Sequence, residues 1–128
     1  MATDEWTVDR HLAGKPPEIV ALYCRFIELV EFCGPFTYSM AKTAITLKGD
    51  RRGFAGASPG QARLDGYLDL WRTVTDARIR RSAPYTKRLF VHHFRVTSLD
   101  QLDGDFTGWI SEAYAVGQGA HLDPPTAQ

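Results

Sequence analysis

Residues 82–96, SAPYTKRLFVHHFRV, decide the fold because they have the composition of a buried β-strand. Proline donates no hydrogen bond to a sheet, so the strand is predicted to begin after Pro84, near Thr86. The bulky, β-branched and aromatic residues that follow favour a pleated segment. Because side chains alternate between the two faces of a strand, one face is predicted to be core: Phe90, His92, Phe94 and Val96. The opposite face is mixed, with Tyr85, Lys87, Leu89, Val91, His93 and Arg95.

His92 and His93 are adjacent, so the alternation of side chains places them on opposite faces of the strand. They therefore cannot share one metal ion. His92 is interpreted as a core histidine that hydrogen-bonds to a neighbour. For His93 two interpretations stay open, a structural role and contact with a ligand, since histidine titrates near neutral pH and serves as acid, base or anion contact. Arg95 shares the face of His93 and is suited to a carboxylate or phosphate.

The chain has 128 residues, of which 44% are hydrophobic and 23% charged, as expected for a single globular domain with a real core. It holds no apolar run of the roughly 20 residues that cross a membrane, and residues 1–10 do not resemble a signal peptide. We therefore expect a cytoplasmic protein with no membrane contact.

Cys24 and Cys33 fall about 13 Å apart on one predicted helix, too far for a disulfide. No CxxC or HxxxH spacing occurs, so we predict no metal and no cofactor.

Charge is unevenly distributed although the formal net charge is +0. Residues 72–96 contain seven Lys or Arg and one acid, whereas residues 97–128 contain five acids and no Lys or Arg. One interpretation is a solvated basic loop balanced by an acidic helix. The other is an anion site, ranging from a phosphorylated metabolite to nucleic acid, built from a basic patch of Arg78, Arg80, Arg81, Lys87 and Arg88. A net charge of zero argues against a protein dedicated to binding duplex DNA.

Apolar periodicity predicts the other elements. A helix over 17–33 carries apolar residues at three- and four-residue steps and ends at Gly34-Pro35, and a short turn over 7–13 precedes it. Extended segments are predicted at 36–40, 42–48, 54–58 and 63–71, a helical turn at 75–80, a capped turn at 98–102, and a closing helix that contains Phe106 and Trp109. The fold class is thus α+β, with a four- to five-stranded antiparallel sheet and two main amphipathic helices packed on one face. The expected organisation is an N-terminal segment (1–15), a single domain (16–119) and a C-terminal tail (120–128).

The sheet face without helices is predicted to be open and to bind a ligand. The candidate ligand-binding residues on this face are Lys42, Tyr67, Tyr85, His93 and Arg95. Tyr67 and Trp71 have the aromatic rings to stack on a planar molecule. Asp65 and Asp69 lie about 13 Å apart along a strand, too far to act as a carboxylate pair on one bond, and each is expected to pair with Lys42 or Arg95.

Several stretches resemble an actinobacterial stand-alone member of the DUF5655 family, to which no function is assigned. The resemblance extends over about 11–119 and lies in these segments: HLAGKPP (11–17), KTAI (42–45), RRGFAGA (51–57), LDGYLDL (64–70), PYTKRLFVHHFRV (84–96) and EAY (112–114). It implies the helix, the Lys-Thr strand, a Phe-Ala strand and the closing helix. It implies no mechanism.

Signature motifs of phosphate loops, serine hydrolases and zinc proteases are absent from the sequence. We therefore predict a small cytoplasmic domain that binds an anionic or planar small molecule and self-associates. One alternative is a small enzyme with His93 as general acid or base. Another is nucleic-acid contact through residues 78–88, which is not favoured.

Overall fold

The computed structural model describes residues 7–40, 44–86 and 89–119. Three α-helices and six strands follow one another, with one 3₁₀ turn before the last helix. The helices are α1 (Val8–Leu12), α2 (Pro17–Cys33) and α3 (Gly104–Gly117), and the 3₁₀ turn is Leu99–Gln101. The strands are β1 (Thr37–Met40), β2 (Ile45–Lys48), β3 (Gly53–Pro59), β4 (Leu64–Leu70), β5 (Ile79–Thr86) and β6 (Leu89–Val96).

All strands join one antiparallel sheet in the order β1-β2-β3-β4-β6-β5. The α+β class, the antiparallel sheet and the helix over 17–33 were predicted from the sequence and are confirmed. Residues 89–96 form an interior strand, as their composition indicated, because β6 pairs with β4 on one side and β5 on the other.

The predicted number of strands, four to five, is wrong, since the sheet has six. Residues 82–96 supply parts of two strands rather than one, and Pro84 lies inside β5, opposite Phe90 of β6. A strand at the edge of a sheet has one side that needs no backbone donor, so it tolerates proline. The helical turn expected over 75–80 is also wrong, because β5 begins at Ile79.

Helices α2 and α3 pack on one face of the sheet and enclose the core. α2 buries Ile19, Leu22, Phe26 and Val30, the stripe that three- and four-residue steps predict. α3 begins where the Asp103 side chain accepts a hydrogen bond from the Phe106 amide, 3.1 Å away. His92 is fully buried on the inner face of the sheet. The opposite face, which we call the outer face, therefore receives the other side chains of β4 and β6.

The link from β4 to β5 crosses to the far edge of the sheet and is held by two side chains. The Val74 amide donates to His92 Nε2 over 2.9 Å. Arg78 donates to Asp76, to Asp103 and to the Gln101 carbonyl over 2.7 to 3.0 Å. These bonds fix the start of β5, and with it the outer face beside β6.

Both cysteines are free thiols on α2, as the helix geometry predicted. Within the described ranges, no helix is long and apolar enough to cross a membrane.

Candidate ligand-binding site

The outer face is organised by cross-strand pairs between β4, β6 and β5. Asp65 is opposite Arg95, Tyr67 is opposite His93, and Asp69 is opposite Val91. Residues directly opposite in an antiparallel pair share a face. Arg81 is opposite His93 on the other side of β6, so Tyr67, His93 and Arg81 form a row across the sheet.

Two concave regions meet on this face. The first, which we call the aromatic cleft, has a volume of about 280 Å³ and is lined by Arg52, Tyr67, Asp69, Tyr85, Val91 and His93. The second, the arginine cleft, has a volume of about 350 Å³ and is lined by Asp65, Gly66, Arg80, Arg81, His93, Phe94 and Arg95. His93 lines both, so the two clefts lie side by side on the outer face, and we refer to the pair as the groove.

The Tyr67 ring lies over a glycine of the neighbouring strand. A Cβ atom on Gly56 would be 2.3 Å from Tyr67 Cε1, so only the missing side chain permits this close approach. The ring centroids of Tyr67 and His93 are 6.4 Å apart, tilted by 52°. Burial raises the pKa of the Tyr67 phenol, while a hydrogen bond with the Thr46 side chain acts in the opposite direction. Tyr67 thus remains a neutral aromatic surface.

A buried carboxylate lies beside these rings. The Asp69 side chain is only 4% exposed, and its Oδ2 accepts a hydrogen bond from Arg52 Nη2 at 2.8 Å. Asp69 Oδ1 is buried and has no hydrogen-bond partner among the described residues. Burial raises the pKa of Asp69 to about 6, although the charge and hydrogen bond of Arg52 act to lower it. The Arg52 guanidinium also lies 5.2 Å from the centroid of the exposed Tyr85 ring. Arg52 therefore contacts both the carboxylate of Asp69 and the aromatic ring of Tyr85.

The arginine cleft contains one paired and two unpaired guanidinium groups. Arg95 Nε donates to Asp65 Oδ1 over 2.7 Å, and Arg63 reaches the same carboxylate at 3.1 Å. Burial acts to raise the pKa of Asp65, but the hydrogen bonds from Arg95 and Arg63 outweigh it and lower the pKa. Arg80 and Arg81 are exposed, and neither has an acidic partner in the described part of the chain. The excess positive charge of the groove therefore belongs to Arg80 and Arg81.

His93 lies between the two clefts as a neutral side chain. Its pKa is lowered first by burial and then by the positive charge of Arg81. Within residues 7–40, 44–86 and 89–119, its ring nitrogens have no hydrogen-bond partner. A neutral imidazole with both nitrogens available can donate one hydrogen bond and accept another.

The structure brings together three of the five candidate ligand-binding residues, because Tyr67, Tyr85 and His93 all line the aromatic cleft. Arg95 lines the adjoining arginine cleft, and it is already paired with Asp65, as the sequence predicted for this acid. Lys42 lies outside the described residues. Trp71 was expected to lie beside Tyr67, but it comes one residue after β4, which ends at Leu70. The second aromatic ring of the cleft is that of Tyr85.

The basic patch divides into different environments. Arg78 is 11% exposed and is bound to Asp76 and Asp103, which makes it structural. Arg80 and Arg81 line the arginine cleft, and Lys87 and Arg88 lie outside the described residues. The expectation of a basic loop is wrong for 79–86, which form β5.

Arg52 was not predicted from the sequence, and its partner Asp69 was expected to pair with Lys42 or Arg95. Arg52 precedes β3 by one residue, in a segment interpreted only as a turn, and no local pattern indicates that it reaches β4. In the described residues, no group of three or more His, Cys, Asp or Glu side chains is placed to hold a metal ion.

A family model described as "Domain of unknown function (DUF5655)" matches residues 8–117. No curated protein and no solved structure matches the chain.

Proposed function

We propose that this protein, which belongs to the DUF5655 family over residues 8–117, is a binding domain that takes a planar, anionic small molecule on the outer face of its sheet. The family description assigns no function, so the support comes from the two clefts. The observation on which the proposal rests is the shared position of His93, with aromatic rings on one side of it and unpaired arginines on the other.

The aromatic cleft supports the planar part of the ligand. Tyr67 is held by the close contact with Gly56, whereas Tyr85 is 62% exposed. Aromatic pairs contribute about 0.5–1.5 kcal/mol beyond the burial of their surface, so a flat molecule stacked on either ring gains affinity that a non-planar molecule of equal size does not.

The arginine cleft supports the anionic part. Arg81 is opposite His93 in the sheet register, and guanidinium groups bind carboxylate and phosphate through paired hydrogen bonds. Arg95 contributes less, because its Nε and Nη2 are both engaged by Asp65 at 2.7 and 3.3 Å. We therefore assign the main anion contact to Arg81.

A catalytic role for His93 is the second candidate, and its support is the neutral, unpaired imidazole described above. Such a group is suited to act as a general base near neutral pH. Nucleic-acid contact through the basic patch has less support, since Arg78 is occupied by Asp76 and Asp103. Cytoplasmic location and self-association remain predictions from the sequence, and sedimentation of the purified protein tests the second.

Thermal shift with matched probes tests the binding proposal. The probes are 2-naphthyl phosphate (planar anion), cyclohexyl phosphate (non-planar anion) and 2-naphthol (planar, uncharged). At a concentration about a hundredfold above its Kd, a ligand adds about 2.7 kcal/mol of stability, a shift of several degrees. We expect the largest shift with 2-naphthyl phosphate.

The variants Tyr85→Ala and Phe32→Ala locate the site. Both remove one exposed aromatic ring, but Phe32 is on α2, away from the outer face, and is 88% exposed. We expect the shift to be lost in the first variant and kept in the second. Equal shifts in both variants, or equal shifts with all three probes, would overturn the proposal. Turnover of the phosphate ester by the wild type and not by His93→Ala would establish the catalytic candidate instead.

A further inference from the structure

The groove on the outer face has two chemically different ends. Along β4, Asp65, Tyr67 and Asp69 point to the same face at intervals of about 7 Å, so the groove extends about 13 Å from the Asp69 end to the Asp65–Arg95 pair. The aromatic cleft holds the tyrosine rings and a buried acid, whereas Arg80 and Arg81 line the arginine cleft, with Arg81 opposite His93 on the edge strand. A ligand that spans the groove is therefore expected to bind in one orientation only.

Asp69 adds a requirement that stacking alone does not impose. A carboxylate only accepts hydrogen bonds, and its Oδ2 is already satisfied by Arg52. The remaining oxygen, Oδ1, has no partner in the described part of the chain. A buried polar atom without a partner costs about 1–3 kcal/mol, and native structures keep few of them. A ligand with an N–H group on the edge of its ring would remove this cost, whereas a hydrocarbon ring would not.

The charge at the other end favours a single anionic group. Arg80 and Arg81 are the two guanidinium groups of the groove that have no acidic partner among the described residues. One phosphate next to Arg81 also comes within reach of His93, which has a ring N–H to donate. A nucleic-acid strand requires a cation for each phosphate that it places on the protein, and the described groove provides too few for an extended strand.

On the basis of the function proposed above, we propose that the ligand is a free nucleoside phosphate, with an N–H donor of its base at Asp69, its ring beside Tyr67 and Tyr85, and its phosphate at Arg81. The base supplies the planar ring and the N–H group, and the sugar separates them from the phosphate. The orientation follows because Asp69 and the tyrosines line one cleft, whereas the free arginines line the other and share only His93 with it.

Isothermal titration with four nucleoside monophosphates, ribose 5-phosphate and 2-naphthyl phosphate tests the ligand class. We expect at least one nucleotide to bind more tightly than 2-naphthyl phosphate by about tenfold, the ordinary value of one hydrogen bond to a charged group. Ribose 5-phosphate is expected to bind weakly, because it lacks the ring.

Two variants separate the contacts. In Asp69→Asn the amide oxygen remains with Arg52, and an NH₂ group replaces Oδ1. Loss of the Asp69 charge affects both anionic ligands, so the ratio of the two affinities is the readout. We expect nucleotide affinity relative to that for 2-naphthyl phosphate to fall about tenfold in this variant. Arg81→Ala is expected to weaken both ligands, and circular dichroism checks that each variant is folded.

Each outcome distinguishes the two proposals. If 2-naphthyl phosphate binds as tightly as every nucleotide and Asp69→Asn changes nothing, the nucleoside assignment is wrong and the planar-anion site stands. If neither class of ligand binds the wild type, both proposals are wrong. A single-stranded oligonucleotide that binds more tightly than all mononucleotides would overturn the assignment to a free nucleotide.

Discussion

Tyr67 of β4 lies over Gly56 of β3, and a Cβ atom at Gly56 would be only 2.3 Å from the Tyr67 ring. The glycine therefore fixes where the ring lies on the outer face. Because Tyr67 is opposite His93 on β6, the same contact determines the shape of the aromatic cleft.

Gly56→Ala is expected to displace the Tyr67 ring into the aromatic cleft and to abolish binding of 2-naphthyl phosphate while the protein stays folded. Gly108→Ala is the matched control, since Gly108 is at an exposed position of α3 and a Cβ there meets no atom within 4 Å. Replacing a helical glycine by alanine stabilises by about 0.5–1 kcal/mol. Titration and urea unfolding of both variants measure the effects, and unchanged binding in Gly56→Ala would contradict the role of this contact.

The sequence predicts well those elements whose signal is local. The stripe of α2 and the proline and glycine at its ends define a helix over 17–33, which the structure confirms. Alternation also predicts that His92 and His93 face opposite sides, and His92 is indeed buried on the inner face with Leu68 as its cross-strand neighbour. The pairing of Asp65 with Arg95 was likewise expected, because both lie on the outer face of neighbouring strands.

What the sequence did not predict depends on contacts between distant segments. Residues 79–86 have a proline and exposed side chains, which locally indicate a loop, yet they form the edge strand β5 because β6 offers an unpaired side. Arg52 reaches Asp69 from across 17 residues, and no spacing rule identifies such a pair. The aromatic cleft was therefore predicted in part, with Tyr67, Tyr85 and His93 but without Arg52.

His92→Leu is expected to cost about 1–3 kcal/mol of unfolding free energy, because the Val74 amide loses its acceptor. His92 Nε2 accepts from Val74 over 2.9 Å, so its Nδ1 carries the proton that is donated to the Phe90 carbonyl at 3.0 Å. His93→Leu, on the outer face, is the control and should change stability by less than about 0.5 kcal/mol. Urea unfolding at pH 7.5 compares the two, and similar losses would contradict the different roles of these neighbours.

Arg78→Met is expected to destabilise the protein by about 2–4 kcal/mol, because it breaks charged hydrogen bonds that hold the crossover to α3. Arg78 is 11% exposed, lies 4.8 Å from the Trp109 ring centroid and binds both Asp76 and Asp103. Methionine keeps most of the apolar part of the arginine side chain, so the loss of unfolding free energy measures the contribution of the guanidinium group.

Arg80→Met is the control for that variant, since Arg80 is exposed and has no acidic partner in the described residues. We expect a change within about 0.5 kcal/mol. Chemical unfolding of both variants at one pH decides the matter. If the two lose equal stability, Arg78 does not anchor the crossover and belongs with the free arginines of the basic patch.

Asp69 is expected to make the protein less stable as pH rises. Its native pKa is raised to about 6, mainly by burial, whereas an unfolded aspartate titrates near 3.9. Between about pH 4 and 6 the native state therefore holds a proton that the unfolded state has released, and stability falls with rising pH in that window. The group lowers stability by about 2–3 kcal/mol at pH 7 relative to pH values below 4.

Asp69→Asn isolates this contribution, because the other titrating groups are common to both proteins and cancel in the difference. The variant is expected to gain stability over the wild type progressively between about pH 4 and 6, and the gain should level off above about pH 7. Urea unfolding of both proteins at several pH values measures it. A difference independent of pH would mean that Asp69 titrates normally in the native state, and that its buried Oδ1 does not impose the expected cost. The acid would then be stabilised by its own surroundings, and the aromatic cleft would not depend on a ligand to satisfy it.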